Sequence, residues 1–347
     1  MAATRKISDP NRFAIFPVAV SAVKRISEHY LRISLTGPAL HAFAGPVNAG
    51  QGFMHDAYIK LLIPPPGETK PTDIELNEDW RSQWFCRPAH ERGWMRTYTL
   101  RAVRRVDAAT APGVTASLRT STMLCSQNPL PTNLPHWQPE VDIDFVLHED
   151  ENGVMGPGSA WAAQAQVGDM ISFFGPLDPE PLWTTWNPEH ANRALICVDE
   201  TGVPAALSIA GSLPEGVTTD ILLEVPSDTD IPEERLTLIN DEVLNRNSVS
   251  IHWLARNRQT ERGQQLCSRL RSVLDVERKN IKPQEPEPEG MWPVLWNVAE
   301  DIGETYVFLA GESSVVRSLR RICVNEAGID KKSVSFMGYW KEGRAEG

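Results

Sequence analysis

Arg96-Thr97-Tyr98-Thr99, followed further along by Gly156-Pro157-Gly158-Ser159, decides how this chain is built. An extended strand alternates its side chains, so Arg96 and Tyr98 share one face and Thr99 takes the other. The second stretch opens a helix, and the backbone N–H groups at a helix N-terminus form a site for a pyrophosphate. Gly156, Pro157 and Gly158 keep side chains away from such an anion, Ser159 adds a hydroxyl, and the helix adds a partial charge of about +0.5. Either stretch alone says little, because half-buried strands often read this way and Ser159 would also serve as an N-cap. Their order in one chain carries the information.

Working outward, the first half reads as strands. Segments 16–24, 30–36, 57–63, 96–104, 141–148 and 170–174 are short, β-rich and separated by Gly, Pro or Asn. Six such strands predict an antiparallel Greek-key barrel, with one helix beginning near Gly158. The second half changes period. Apolar runs at 193–198, 221–225, 249–254, 306–310 and 334–337 suit a buried parallel sheet. Helical stretches at 203–213 and 313–327 alternate with them, the latter with Val315, Leu319, Ile322 and Cys323 on one stripe. This pattern predicts a doubly wound α/β sheet. The Pro-rich polar stretch 178–192 is the expected boundary, giving domains at 10–180 and 190–345. A Thr/Pro/Asn-containing insertion spans 108–139, and 279–290, with Pro283, Pro286 and Pro288, reads as an exposed loop.

Composition narrows the function. With 347 residues, 41% hydrophobic and 23% charged, the chain suits two ordinary soluble domains. A net charge of −11 offers no long-range attraction for nucleic acid or an anionic membrane, and an anionic ligand would need a local basic pocket. Cys86, Cys125, Cys197, Cys267 and Cys323 are scattered without a Cys-x-x-Cys, which argues against zinc, iron–sulfur or disulfide frameworks. Residues 1–16 lack the apolar core of a signal peptide. The expectation is a cytoplasmic, monomeric protein with no metal site.

Asp144-Phe145-Val146-Leu147-His148, Gly156 through Ala162, Val167-Gly168-Asp169, Asp199 through Ala205, Ala310 through Arg317 and Gly338-Tyr339-Trp340 together resemble the siderophore-interacting protein family, within the ferredoxin reductase superfamily. The resemblance implies a ferric-siderophore reductase holding FAD between a barrel and an α/β domain. It implies Arg96 at the flavin's phosphates, Tyr98 against the isoalloxazine or ribityl region and Thr99 at the ring's polar edge, with Arg101 a further contact. Val146 and His148 would lie beside the flavin, and Gly156, Gly158, Ser159, Ala160 and Trp161 around its diphosphate. Asp199 and Thr201 would face both flavin and nicotinamide, Gly311 and Glu312 the nicotinamide cofactor, and Trp340 the flavin pocket or its entrance.

Each residue also has an ordinary structural reading: Tyr98 as a core aromatic, Arg96 as a surface ion-pair partner, His148 as a structural histidine, Trp340 as a strand core residue. Arg256, Lys332 and Lys341 are candidate contacts for an anionic ferric chelate, or else solvated charges. NADPH is the first donor the resemblance implies, with NADH or ferredoxin as alternatives. No side chain is expected to act as acid, base or nucleophile. Two other functions stay open: a general flavin or ferredoxin–NADP-type reductase, and a non-catalytic siderophore-binding module that retains FAD.

Overall fold

Leu100 and Arg101 are all that joins two strands at opposite edges of one sheet, and this short link sets the architecture of the first half. In the computed structural model the described residues are 12–44, 54–65, 67–69, 74–111, 123–125, 128–129, 135–149, 153–188, 190–232, 248–256, 260–277, 296–300 and 303–343. The chain divides into two units, one ending at Thr184 and the other beginning at Thr185. Most of 108–139 and all of 279–290 fall outside the described residues.

The N-terminal unit contains β1 (Phe13–Arg25), β2 (Tyr30–Thr36), β3 (Tyr58–Ile63), α1 (Trp80–Cys86), α2 (Ala89–Arg92), β4 (Trp94–Thr99), β5 (Ala102–Asp107), β6 (Met123–Cys125), β7 (Asn128–Pro129), β8 (Trp137–Val146), α3 (Pro157–Gln164) and β9 (Met170–Pro176). Seven strands form an antiparallel sheet in the order β4-β3-β9-β1-β2-β8-β5, while β6 and β7 pair separately. A flat seven-stranded sheet would hold its edge strands roughly 28 Å apart. Three Cα steps from Thr99 to Ala102 span at most about 11 Å. The sheet must therefore curl until its edges approach. The single strand expected over 96–104 is two strands, so the sheet has seven members where six were expected.

Alternate residues fill the inside of the curl. Phe16 and Val18 of β1, Ile33 and Leu35 of β2, Val141, Ile143 and Phe145 of β8, and Phe173 of β9 are buried in one core. Phe16, Phe43 and Phe173 meet ring to ring at centroid separations of 5.2–5.4 Å. Each such ring contributes about 1.5–3 kcal/mol by leaving water. The opposite face of β8 is also buried but charged. Arg32 holds Asp144 with two bonds of 2.7 and 2.8 Å, and Arg104 holds Asp142 at 2.7 Å.

The C-terminal unit contains β10 (Arg193–Val198), α4 (Val203–Ala210), β11 (Thr218–Val225), β12 (Val249–Ala255), α5 (Gln264–Leu274), β13 (Trp296–Asn297), β14 (Thr305–Glu312), α6 (Ser313–Arg321) and β15 (Val334–Trp340). Its sheet runs β12-β11-β10-β14-β15-β13. The first five strands are parallel, and β13 pairs antiparallel with β15, which makes the sheet mixed. Parallel strands covered on both faces need unbroken apolar runs, which is why these were readable from sequence. The stripe Val315, Leu319, Ile322 and Cys323 joins Leu195, Cys197, Val307 and Leu309 in one cluster. The strand order reverses direction between β10 and β14, where α/β sheets open a crevice beyond the strand ends. Among the described residues, no helix is long and apolar enough to cross a membrane.

Candidate functional site

In the N-terminal unit the two opening motifs come together. Tyr98 on β4 packs on Phe145 of β8, ring centroids 4.4 Å apart, and Phe145 in turn meets Trp161 of α3 at 5.6 Å. The Tyr98 hydroxyl reaches the first turn of α3, where a Cβ on Gly158 would lie 1.9 Å from it. Burial pushes the Tyr98 phenol well above its ordinary pKa, only partly opposed by the Arg96 charge, so the phenol stays protonated and can donate.

Gly156 is the N-cap of α3, with no side chain capping the turn and Pro157 at its start. The first helical bond runs from Ala160 N–H to the Gly156 carbonyl (2.9 Å). The amides of Gly158 and Ser159 precede it and have no partner within the helix. Ser159 is not the N-cap. Its buried hydroxyl instead donates to the Val146 carbonyl (2.8 Å), tying α3 to the end of β8. Nothing lies within 4 Å of a Cβ placed on Gly156, so the space beside the N-cap is open. A buried, uncapped turn of small residues beside an aromatic hydroxyl fits the phosphate end of a dinucleotide such as FAD.

The remaining candidates of this unit are dispersed. Arg96 is half-buried on β4 and donates to the Met95 carbonyl (3.2 Å). Thr99 is buried at the end of the strand. Arg101 crosses to the other sheet edge with the β4–β5 link, its N–H bonding the Asp142 carbonyl at 2.8 Å. Its guanidinium, 3% exposed as a residue, lies 3.8 Å from Asp144, and burial lowers its pKa to about 10. It belongs to the Arg32–Asp144–Asp142–Arg104 ladder and is not gathered with Tyr98. His148 is exposed, two residues beyond β8.

In the C-terminal unit Asp199 occupies the switch point. It is fully buried just past β10 and collects donors from three elements. Thr201 donates to Oδ1 through its N–H (2.9 Å) and hydroxyl (2.6 Å). The Glu312 N–H (2.6 Å) and the Trp340 indole (3.1 Å) donate to Oδ2. Burial and the neighbouring Glu200 charge push its pKa up to about 6, against the pull of Thr201, the Glu312 N–H and Arg262. Gly311, at φ +140°, leaves room for this carboxylate, since a Cβ would stand 2.5 Å from it.

Glu312 caps α6 itself, accepting from the amides of Ser314 (2.6 Å) and Val315 (3.0 Å) and from the Ser314 hydroxyl. The helix terminus at Gly311 and Glu312, expected to face the nicotinamide cofactor, therefore already holds a carboxylate. Beside it, Glu200 is bonded by Arg256 at 2.6 and 3.0 Å and by Arg262, whose guanidinium also stacks 4.6 Å over the Trp340 ring. Burial would raise the Glu200 carboxyl, yet these arginines hold it below the usual range. Arg256 further reaches the fully buried Glu224 (3.2 Å), which accepts from the Gly263 N–H (2.8 Å) ahead of α5.

The three candidate chelate contacts are placed apart. Arg256 spends its charge on Glu200 and Glu224. Lys332 precedes β15 and Lys341 follows it, so the seven-residue strand sets them at its opposite ends, and the three cations do not converge. Glu224 and Arg262 were missed. The signal for Glu224 was a carboxylate inside the apolar run Ile221-Leu222-Leu223-Glu224-Val225, which demands a buried partner. Among the described residues, no cluster of three or more His, Cys, Asp or Glu could hold a metal ion.

Residues 191–343 match the family described as siderophore-interacting protein, and residues 19–111 and 131–179 match the siderophore-interacting FAD-binding domain. A ferric vibriobactin reductase, ViuB of Vibrio cholerae, is 28% identical over 207 residues, covering 60% of this chain and 61% of that protein. An NADPH-dependent ferric-chelate reductase of Escherichia coli is 25% identical over 329 residues, covering 93% of this chain and 91% of that one. A siderophore utilization protein from T. fusca superposes with a TM-score of 0.57 at 23% identity, covering 96% and 95% of the two chains. The match to the vibriobactin reductase thus spans under two thirds of that relative's length.

Proposed function

The chain belongs to the siderophore-interacting protein family, and from that premise we propose that it is an FAD-dependent ferric-siderophore reductase drawing electrons from a nicotinamide dinucleotide. One observation carries the reading: Tyr98 and the uncapped turn at Gly158, about a third of a domain apart in sequence, adjoin in one corner of the rolled sheet. We assign residues 10–180, read as a Greek-key barrel, to FAD, and residues 190–345, read as a doubly wound sheet, to the nicotinamide donor. The compartment we infer is the cytoplasm.

In this reading the Gly158 and Ser159 amides hold the diphosphate, with the positive end of α3 behind them. Tyr98, kept protonated by burial, donates a hydrogen bond to the cofactor, and Arg96 supplies charge from the same strand face. Phe145 and Trp161 keep water from the Tyr98 side of the corner. Bound FAD would accept two electrons together from the donor and pass them on singly, as ferric iron requires. The substrate is Fe(III) held by hard oxygen donors, and its reduction to Fe(II) weakens that grip and frees the metal. The relatives named for vibriobactin and for ferric chelates support this substrate class.

The test is direct. Purified protein should carry flavin absorbance, lose it under anaerobic NADH or NADPH, and regain it on adding a ferric siderophore while a ferrous-specific chromophore develops. Folded protein that cannot be loaded with FAD would end the proposal. Recovery of colour with free flavin or cytochrome but not with ferric chelates would reassign the acceptor.

A further inference from the structure

An open cavity of about 960 Å³ lies in the C-terminal unit beyond the ends of β11 and β12, lined in part by Ser227, Asp228, Arg256, Glu261, Arg262 and Glu342. We propose that this cavity selects NADH over NADPH, with Asp228 receiving the 2′- and 3′-hydroxyls of the adenosine ribose. The inference rests on the reading that a nicotinamide dinucleotide is the donor, and it adds which one and why.

Position comes first. β10, α4 and β11 form a parallel strand–helix–strand unit, and Asp228 stands three residues past the end of β11 at Val225. In dinucleotide-binding units of this kind, a carboxylate downstream of the first strand accepts from the ribose hydroxyls, whereas an arginine nearby accommodates a 2′-phosphate. The local turn fixes Asp228 in place. The Ser227 hydroxyl donates to Asp228 Oδ1 (3.2 Å) and accepts from the Thr229 N–H (3.3 Å). Ser227 is thus committed to its own turn.

Charge points the same way. Among the described residues that line the cavity, the cations are Arg256 and Arg262, and both are bonded to Glu200. Arg256 also answers Glu224. Asp228, Glu261 and Glu342 add three carboxylates to the same walls. A phosphate monoester brings roughly −1.5 to −2 charges near neutral pH. Against these walls a 2′-phosphate meets like charge, while a ribose diol meets an acceptor. The E. coli relative's name carries NADPH, so this cavity would set the present chain apart from it.

The experiment uses the full-length, FAD-loaded protein. Calorimetric titration with NAD+ and NADP+, and with ADP and 2′,5′-ADP, reads binding without turnover, and anaerobic bleaching by NADH and NADPH reads reduction. The unphosphorylated member of each pair should bind at least about tenfold more tightly at low salt, with the gap shrinking as salt screens the carboxylates. Asp228→Asn should narrow the gap and Asp228→Arg should invert it. NADP+ binding as tightly as NAD+, no binding of either, or an unchanged ratio in both variants would overturn the inference. Equal bleaching by both donors sinks the preference and leaves the reductase reading standing. Bleaching by neither, with NAD+ still the tighter ligand, sinks the nicotinamide-driven reading and leaves the preference intact.

Discussion

Gly158 has no side chain because Tyr98 is already there: a Cβ on Gly158 would stand 1.9 Å from the Tyr98 hydroxyl and 3.2 Å from the ring carbon that bears it. Gly158→Ala must push the ring or the α3 turn aside, and overpacking of this kind costs about 1–3 kcal/mol. Removing the hydroxyl should relieve most of it, because the ring carbon at 3.2 Å is tight but tolerable. The double variant Gly158→Ala/Tyr98→Phe should therefore be more stable than Gly158→Ala alone, by urea denaturation. Equal midpoints for the two would mean that this contact does not shape the corner.

Arg256 offers a different discrimination. As a chelate-docking residue, its loss would weaken siderophore affinity and leave folding untouched. As the partner of Glu200 and Glu224, its loss takes the paired cation from the fully buried Glu224 and leaves Glu200 to Arg262 alone, and breaking a buried ion pair costs about 3–5 kcal/mol. We expect Arg256→Ala to lower the denaturation midpoint strongly. Full stability together with raised chelate KM would restore the docking role.

Arg96 and Arg101 should separate in the same manner. Both sit in the single strand expected over 96–104, yet the β4–β5 link carries Arg101 to Asp142 and Asp144 at the other sheet edge. Arg96→Ala should cut flavin content after purification with little change in stability. Arg101→Ala should do the reverse, since it removes a buried cation from a ladder of ion pairs. Flavin absorbance per protein and thermal melting, measured on both variants, decide between these roles.

What was readable in the sequence follows from how local each signal is. The run 193–198 announced β10 because a strand covered on both faces must be apolar throughout. Gly156-Pro157-Gly158 announced α3 because proline fixes a helix-compatible φ at the first helical position. The break at Leu100-Arg101 contains neither Gly nor Pro, so nothing local divides β4 from β5. The helix α1 went unread although Trp80 and Trp84, both buried, stand four apart. The pairing of Glu200 with Arg256 spans 56 positions, and no periodicity reports which distant cation answers a buried carboxylate. The site was legible as motifs and illegible as a network.

Asp199 supplies the pH test. Its folded pKa of about 6 lies above the ordinary 3.8, so the folded state binds this proton more tightly than the unfolded chain does. Its contribution is therefore most favourable below about 4, declines as pH rises, and is lost above about 6. Asp199→Asn cannot ionise and should lack that decline. At neutral pH its amide would also turn an NH2 toward the donors from Thr201, Glu312 or Trp340, and an unsatisfied buried donor costs about 1–3 kcal/mol. Denaturation of both proteins from pH 4 to 7 gives a difference curve that isolates this residue. The difference should vary between pH 4 and 6 and flatten above it, because only there does the wild-type carboxyl change state. A flat difference across the whole range would mean that Asp199 is already ionised at pH 4, with Thr201, Glu312 and Trp340 outweighing its burial.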